Sequence, residues 1–452
     1  MALSGNLDAQ LQSSVQEGVD MSPRPLRVGI DGFNLAMPKG TGVATYGMSL
    51  ARTLKAGGHA VDGIFGLDAG NIEDGREVAF FDLLGREQRV RPRSVVNAAI
   101  KSLGGVRLGQ VHLTDRVEKR AFIDRLPAFD RIFTSALLFN AAHVRFRATG
   151  AFTTVSMPNP PEVMHWTYPV PIRMAGSRNV YTLHDLVPLR MPYATLDEKD
   201  VYRRTIEGCI RAADAICTVS ESSRRDIIET FPIDPQKVVN TYQSSPVPDE
   251  VLRTTVADDA TMIKGLFGLQ HREYFLFFGA LDPKKNLPRI IEAYLTSHSQ
   301  TPLVIIGGRN WGMDGENNAL GSGVRVYGHQ AAGRIVQLDY MPRALLCRMV
   351  RNAKAVLFPS LYEGFGLPVL EAIQLGTPVI TSNISSLPEV AGEGGLLVDP
   401  YDVRDIAAAI ARIDGDPALV DSLRGAGTAH AATFSEQRYG ERLAGLYSVA
   451  LG

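Results

Sequence analysis

Apolar residues along this chain gather in short runs separated by stretches of helical spacing. The runs at 26–31, 179–188, 214–220, 274–279, 303–308 and 335–340 read as strands, and 355–359 as a fully buried one. Val43, Tyr46, Leu50 and Leu54 carry the spacing of a helix, residues 341–353 read as a further helix, and Ser220 caps a helix that starts at Glu221. Strands alternating with helices predict an α/β protein. The run Pro246-Val-Pro-Asp249 breaks the pattern and reads as a linker between a first unit at 25–246 and a second at 250–433. Residues 1–24 are polar, unpatterned and expected to be disordered, with Met21 a second candidate start. A chain of 452 residues exceeds what one core supports, so two domains are expected.

The most informative stretch is 353–376. A buried strand leads into the turn Glu363-Gly-Phe-Gly366, and a helix follows that Gly376 stops. Pro368 suits a first helical turn, where its missing N–H has no partner to lose. Gly364 and Gly366 leave bare backbone at the helix N-terminus, an arrangement suited to phosphate. Glu363 and Glu371 flank the turn. Carboxylates repel a diphosphate, so they are better suited to accept hydrogen bonds from hydroxyls on either side of it. A glycine turn with two solvated acids is also an ordinary feature of α/β proteins, and the turn alone does not separate the two readings.

Glu363-Gly-Phe-Gly-Leu-Pro-Val-Leu-Glu371, followed by Gly376-Thr-Pro-Val-Ile, resembles the signature of the retaining glycosyltransferases of family 4, a Glu, seven residues and a second Glu. The resemblance extends with gaps from about Arg27 to the C-terminus. It implies the GT-B fold: two doubly wound Rossmann-like domains facing a cleft that holds a nucleotide-sugar, with a last helix (434–452) crossing back onto the first domain. It implies that Glu363 contacts the transferred sugar and Glu371 the ribose. The amides of Gly364, Phe365 and Gly366, with Leu367, would hold sugar and diphosphate.

The same family gives weight to three other places. Gly40 and Gly42 stand in a strand–glycine loop–helix arrangement that suits donor phosphate or acceptor. His184-Asp185 ends a strand, where open α/β sheets bind ligands, and its segment resembles that of bacterial mannosyltransferases. His184 would then lie near the donor sugar, with Asp185 orienting its imidazole. After Gly279, Lys284 and Lys285 are counter-charges for a diphosphate, and Lys285 falls on the family's lysine. Ala280 stands where many members have arginine, so either Lys284 substitutes as a second cation or the site relies on Lys285 and amides alone.

The catalytic set expected from the resemblance is His184, Glu363 and Lys285. The expected reaction is retaining transfer of a hexose, mannose from GDP-mannose foremost, to a saccharide hydroxyl, with a lipid-linked acceptor of surface polysaccharide. UDP- or dTDP-linked donors, and a non-catalytic sugar-nucleotide-binding protein, are the alternatives. A sugar-nucleotide epimerase would need its own acid and base carboxylates, for which no pair stands out. No cofactor or metal is expected; the single Asp-x-Asp, Asp414-Gly-Asp416, sits in a late small-residue turn.

Net charge of −1 gives no general pull toward nucleic acid, and Cys209, Cys217 and Cys347 lack disulfide or metal spacing, so a cytoplasmic setting is expected. No apolar run reaches the ~18 residues of a membrane helix. One local exception changes the picture. Residues 86–125 hold ten Lys/Arg against four Asp/Glu, with Val95, Val96, Ala99, Ile100 and Leu103 interleaved. This suits either a solvated face or contact with an anionic membrane surface.

Overall fold

The computed structural model describes residues 24–37, 42–70, 75–84, 86, 90–114, 117, 122, 126–195, 198–307, 325–326, 334–338 and 341–452. In the N-terminal lobe the chain runs through β1 (Arg27–Asp31), α1 (Gly42–Ala56), β2 (Ala60–Phe65), α2 (Pro92–Lys101), β3 (Val106–Arg107), β4 (Gly109–Val111) and β5 (Arg131–Thr134). It continues through β6 (Thr153–Ser156), β7 (Val163–Trp166), β8 (Ile172–Met174), β9 (Arg178–Thr182), β10 (Ala215–Thr218), α3 (Glu221–Thr230) and β11 (Val238–Asn240). Eight strands form one sheet in the order β11-β10-β9-β7-β1-β2-β5-β4, parallel except for β4 against β5. β3, β6 and β8 form a small parallel sheet.

The second lobe contains β12 (Phe275–Phe278), α4 (Leu287–Thr296), β13 (Leu303–Ile306), β14 (Arg325–Val326), β15 (Ile335–Leu338), α5 (Arg343–Asn352), β16 (Ala355–Phe358), α6 (Leu367–Gln374), β17 (Val379–Ser382) and β18 (Gly395–Val398). Its order is β14-β15-β13-β12-β16-β17-β18, parallel but for the edge strand β14. Every residue of β12, β13, β16 and β17 is buried. That explains the unbroken apolar runs: helices cover both faces of a parallel sheet, so no position alternates to water.

Both sheets are doubly wound, and each has a switch point where the chain leaves a central strand in opposite directions. These lie between β1 and β7 in the first lobe and between β12 and β16 in the second. Crevices at such points, beyond the strands' carboxyl ends, are where open α/β sheets bind ligands.

The strand expected over 179–188 stops at Thr182, and Val187–Arg190 is instead a helical turn with Pro188 in its first positions. Proline lacks the N–H a ladder requires but is tolerated at a helix start. His184 and Asp185 are therefore loop residues just past β9.

The last helix, α7 (Glu436–Leu451), packs against α1 and strands β7, β9, β10 and β11 of the first lobe. Its Tyr439, Leu443, Leu446 and Tyr447 join one apolar cluster that runs from Val28, Ile30 and Tyr46 to Leu276, Val356 and Val369 of the second lobe. Each large apolar side chain so buried contributes about 1.5–3 kcal/mol. The Tyr447 hydroxyl also meets Nδ1 of the fully buried His165 at 2.9 Å, and Nε2 of that histidine meets Thr182 Oγ1 at 2.8 Å.

Candidate active site

The second lobe's crevice is walled by the loop after β12 and the glycine elbow after β16. Neighbouring strand ends bring Lys285 and Glu363 together across 78 positions of sequence, Nζ to Oε1 at 2.6 Å. The ammonium also lies 4.9 Å from the centre of the Phe358 ring. Burial alone would push the Glu363 carboxyl up, but Lys285, then Lys284, outweigh it and hold it below the usual carboxylate range. Burial likewise works against the Lys284 charge, yet Glu363, Asp185 and Asp282 together raise its pKa. The second cation of this crevice is Lys284, since Ala280 offers none.

The elbow's carbonyls are all taken. The Ser386 hydroxyl lies 2.9 Å from the carbonyls of both Glu363 and Phe365, and Ser220 donates to that of Gly364 at 2.6 Å. In a trans peptide the next N–H points the opposite way. The N–H groups of Gly364, Phe365 and Gly366 accordingly find no acceptor among the described residues. Gly366, at φ 99°, caps α6 in a left-handed conformation that favours glycine. Three unsatisfied amides at a helix start, beside two lysines, form a site for negative charge.

The first lobe closes on this elbow. A Cβ on Gly364 would fall 2.5 Å from the His184 carbonyl oxygen and 3.1 Å from the Asp185 side chain. Gly364 thus gives close approach to the partner lobe as well as room for a ligand. Across the same gap, Glu389 accepts the N–H groups of Glu221 and Ser222 at the start of α3, at 3.0 and 2.9 Å. His184 is half-buried, its ring edge-on to Tyr46 at 4.9 Å, and its Nε2 sits 2.8 Å from the Thr167 carbonyl. Burial holds its pKa below the ordinary histidine value. The residue that orients the imidazole is Thr167, not Asp185. The Asp185 carboxylate instead accepts the Val187 N–H two residues on, at 3.0 Å, closing a side-chain turn that leads into the helical turn.

The remaining candidates fall as follows. Gly40 lies outside the described residues. Gly42 opens α1, and a Cβ there would lie 3.9 Å from Leu367 of the elbow, so the two loops face each other. Gly279, at φ 138°, ends β12 with its N–H on the Ile306 carbonyl. Phe365 turns its ring inward against Tyr242 and Phe434. Glu371 is held at the interlobe linker by Arg343, at 3.1 Å, and by the Ser245 hydroxyl, at 3.0 Å. Asp414 is bound to Lys354, Ser299 and Thr301, and Asp416 caps a helix. Among the described residues no group of three or more His, Cys, Asp or Glu is placed to hold a metal ion. Nor is any described helix long and apolar enough to cross a membrane.

Thr167, Ser386 and Arg343 were not anticipated from sequence, and Ser220 was read as the helix cap it is but not as a partner of the elbow. The serine run Ser382-Asn-Ile-Ser-Ser386 was the one available signal, a polar turn at the end of a buried strand.

Two doubly wound lobes with facing switch points, closed by a crossing C-terminal helix, define the GT-B fold. The structure of HepE from Anabaena in complex with UDP and glucose superimposes on 94% of this chain and 99% of its own at a TM-score of 0.61, with 14% identity. The family described as Glycosyltransferase Family 4 matches residues 40–240, and Glycosyl transferases group 1 matches 264–429. O-antigen chain mannosyltransferase B of Escherichia coli is 32% identical over 263 residues, 57% of this chain and 67% of that protein. The serotype-specific mannosyltransferase WbdA of Escherichia coli is 26% identical over 382 residues, and the match spans 78% of this chain but 44% of WbdA. The chain belongs to glycosyltransferase family 4 and is a hexosyltransferase similar to bacterial mannosyltransferases.

Proposed function

We propose that the protein transfers mannose from GDP-mannose, with retention, to a hydroxyl of a lipid-linked saccharide in the synthesis of a bacterial surface polysaccharide. The observation that carries this reading is the elbow: three unsatisfied amides and the Lys284–Lys285 pair, facing His184 across the lobes. As the anomeric bond breaks, charge develops on the departing diphosphate. Donors already fixed in place stabilise that charge without reorganising, which is the most effective form of such stabilisation. In this reading Glu363 binds sugar hydroxyls and Glu371 the ribose, while lysines and amides take the role a metal ion plays elsewhere. His184, kept neutral by burial, exchanges hydrogen bonds with the donor sugar. The acceptor oxygen attacks from the face the diphosphate leaves.

Mannose is supported by the two mannosyltransferase relatives. A membrane-linked acceptor is supported by α2, whose Val96, Ile100 and nearby Leu103 are 47, 59 and 60% exposed beside Arg93 and Lys101. In this reading the enzyme works at the inner face of the cytoplasmic membrane.

The test is incubation with GDP-mannose, UDP-glucose and dTDP-rhamnose while free nucleotide is measured, with the anomeric configuration of product read by NMR. GDP release from GDP-mannose with an α product is expected. Release from a UDP- or dTDP-sugar instead replaces the donor, and binding without turnover of any donor overturns the reading.

A further inference from the structure

The first lobe's switch point contains a carboxylate that no role yet described accounts for. Asp31 ends β1, Thr167 follows the end of β7, and His184 lies two residues past the end of β9. The sheet order β9-β7-β1 sets these three side by side along one edge of the crevice. Asp31 is fully buried. Its Oδ1 accepts the Phe33 N–H at 3.2 Å and its Oδ2 accepts the Thr167 N–H, with the Thr167 hydroxyl as a further donor. Burial pushes this carboxyl up to about 6 against those hydrogen bonds, and no cation is among the groups acting on it. A buried carboxylate without a cation is costly, and Asn would serve a two-residue turn to Phe33 without that cost.

What the charge achieves lies one peptide further on. With its N–H and hydroxyl both held by Asp31, Thr167 has a fixed backbone, and its carbonyl points at Nε2 of His184, 2.8 Å away. A carbonyl only accepts, so this contact requires the proton on Nε2 and leaves Nδ1 as the acceptor. Nδ1 makes no hydrogen bond among the described residues.

We propose that Asp31 is a positioning residue that, through the Thr167 peptide, fixes His184 in its Nε2–H tautomer and presents Nδ1 as a hydrogen-bond acceptor to a sugar hydroxyl. The significance for turnover rests on the transferase reading above; the tautomer itself does not.

The experiment is Asp31→Asn in the full chain, followed by 15N NMR of labelled histidine and by steady-state kinetics. Asn retains one acceptor but replaces the other with a donor. The wild type is expected to show His184 as a single Nε2–H tautomer. In the variant a tautomer mixture is expected, with kcat down roughly 10- to 100-fold, donor KM within about twofold and an unchanged or higher melting temperature. Should Asp31→Asn not fold, Asp31→Ser, which retains a hydroxyl near the Phe33 N–H, is measured the same way. An intact tautomer in the folded variant overturns the proposal, whatever happens to the rate. So does a loss of rate accompanied by a lower melting temperature and no tautomer change, which marks a structural role. If the wild type turns over no donor, the transferase reading fails, and the NMR result still decides the Asp31 link.

Discussion

The backbone carbonyl of His184 approaches Gly364 so closely that a Cβ on the glycine would lie 2.5 Å from the oxygen. One lobe's strand end and the other lobe's elbow are therefore in main-chain contact, and glycine is the residue that permits it. Ser223, on the same lobe as His184, donates to the His184 carbonyl at 2.7 Å, and its hydroxyl also lies 3.2 Å from the Gly364 carbonyl across the gap.

Gly364→Ala is expected to push the lobes apart at this point. Overpacking of a tight contact costs about 1–3 kcal/mol. If that cost falls on the closed form in which transfer occurs, kcat/KM drops roughly 5- to 150-fold. The melting temperature should change little if each lobe keeps its own core. Steady-state nucleotide release beside a thermal melt checks both, and a variant with wild-type kcat/KM would show that this contact does not persist in the working enzyme.

Lys285→Met separates the two functions of the Lys285–Glu363 pair. Removing the ammonium leaves the buried carboxylate with only Lys284 as a nearby cation, a loss of at most about 3–5 kcal/mol in stability. Adding Glu363→Gln should recover much of that stability, because no charge is then stranded. Turnover should fall about 100- to 1000-fold in the single variant, the scale for loss of one charge-stabilising donor, and remain low in the double variant. Urea melts and donor turnover on the two proteins give the comparison.

How much of this was legible beforehand depended on whether the signal was local. The unbroken runs at 274–279 and 355–359 disclose buried parallel strands because both faces of each strand are covered. The elbow is legible because glycine and Pro368 sit where backbone geometry requires them. Candidates Glu363 and Lys285 could be named from their own segments, but that they meet at 2.6 Å follows from β12 lying beside β16, which no local pattern encodes. Thr167 shows why the rest was hidden. It acts through its carbonyl, a group every residue carries, and its relation to His184 and Asp31 is set by strand order. The Arg343–Glu371 pair likewise depends on where α5 enters relative to α6.

The face of α2 makes a prediction of its own. No acidic residue stands between Glu87 and Asp115, while Arg91, Arg93, Lys101 and Arg107 are all exposed. Each such charge is worth about 1 kcal/mol at an anionic bilayer. Arg91→Glu with Arg93→Glu and Lys101→Glu should abolish co-sedimentation with phosphatidylglycerol vesicles. Nucleotide release from donor alone should be unaffected. Binding by the wild type should weaken between 0.05 and about 0.5 M salt as charges are screened. Wild-type protein that ignores such vesicles at low salt would assign α2 to solvent.

His165 should give the protein a defined acid sensitivity. Burial lowers its pKa to about 3, whereas in the unfolded chain it returns to about 6.5. Below the unfolded value the unfolded state binds a proton that the folded state refuses, so stability falls as pH drops from 6.5 toward 3. Asp31 acts in the opposite sense: its raised carboxyl holds a proton in the folded state between about 4 and 6, so its contribution falls as pH rises through that window. A wild-type profile alone would blend the two. His165→Gln isolates the histidine, since an amide can still bond to Tyr447 and Thr182 but does not titrate. The stability difference between wild type and variant is expected to shift in the variant's favour by on the order of 2–3 kcal/mol between pH 6.5 and 4.5. Urea unfolding at the two pH values checks it, and an unchanged difference would mean that His165 is protonated inside the folded protein.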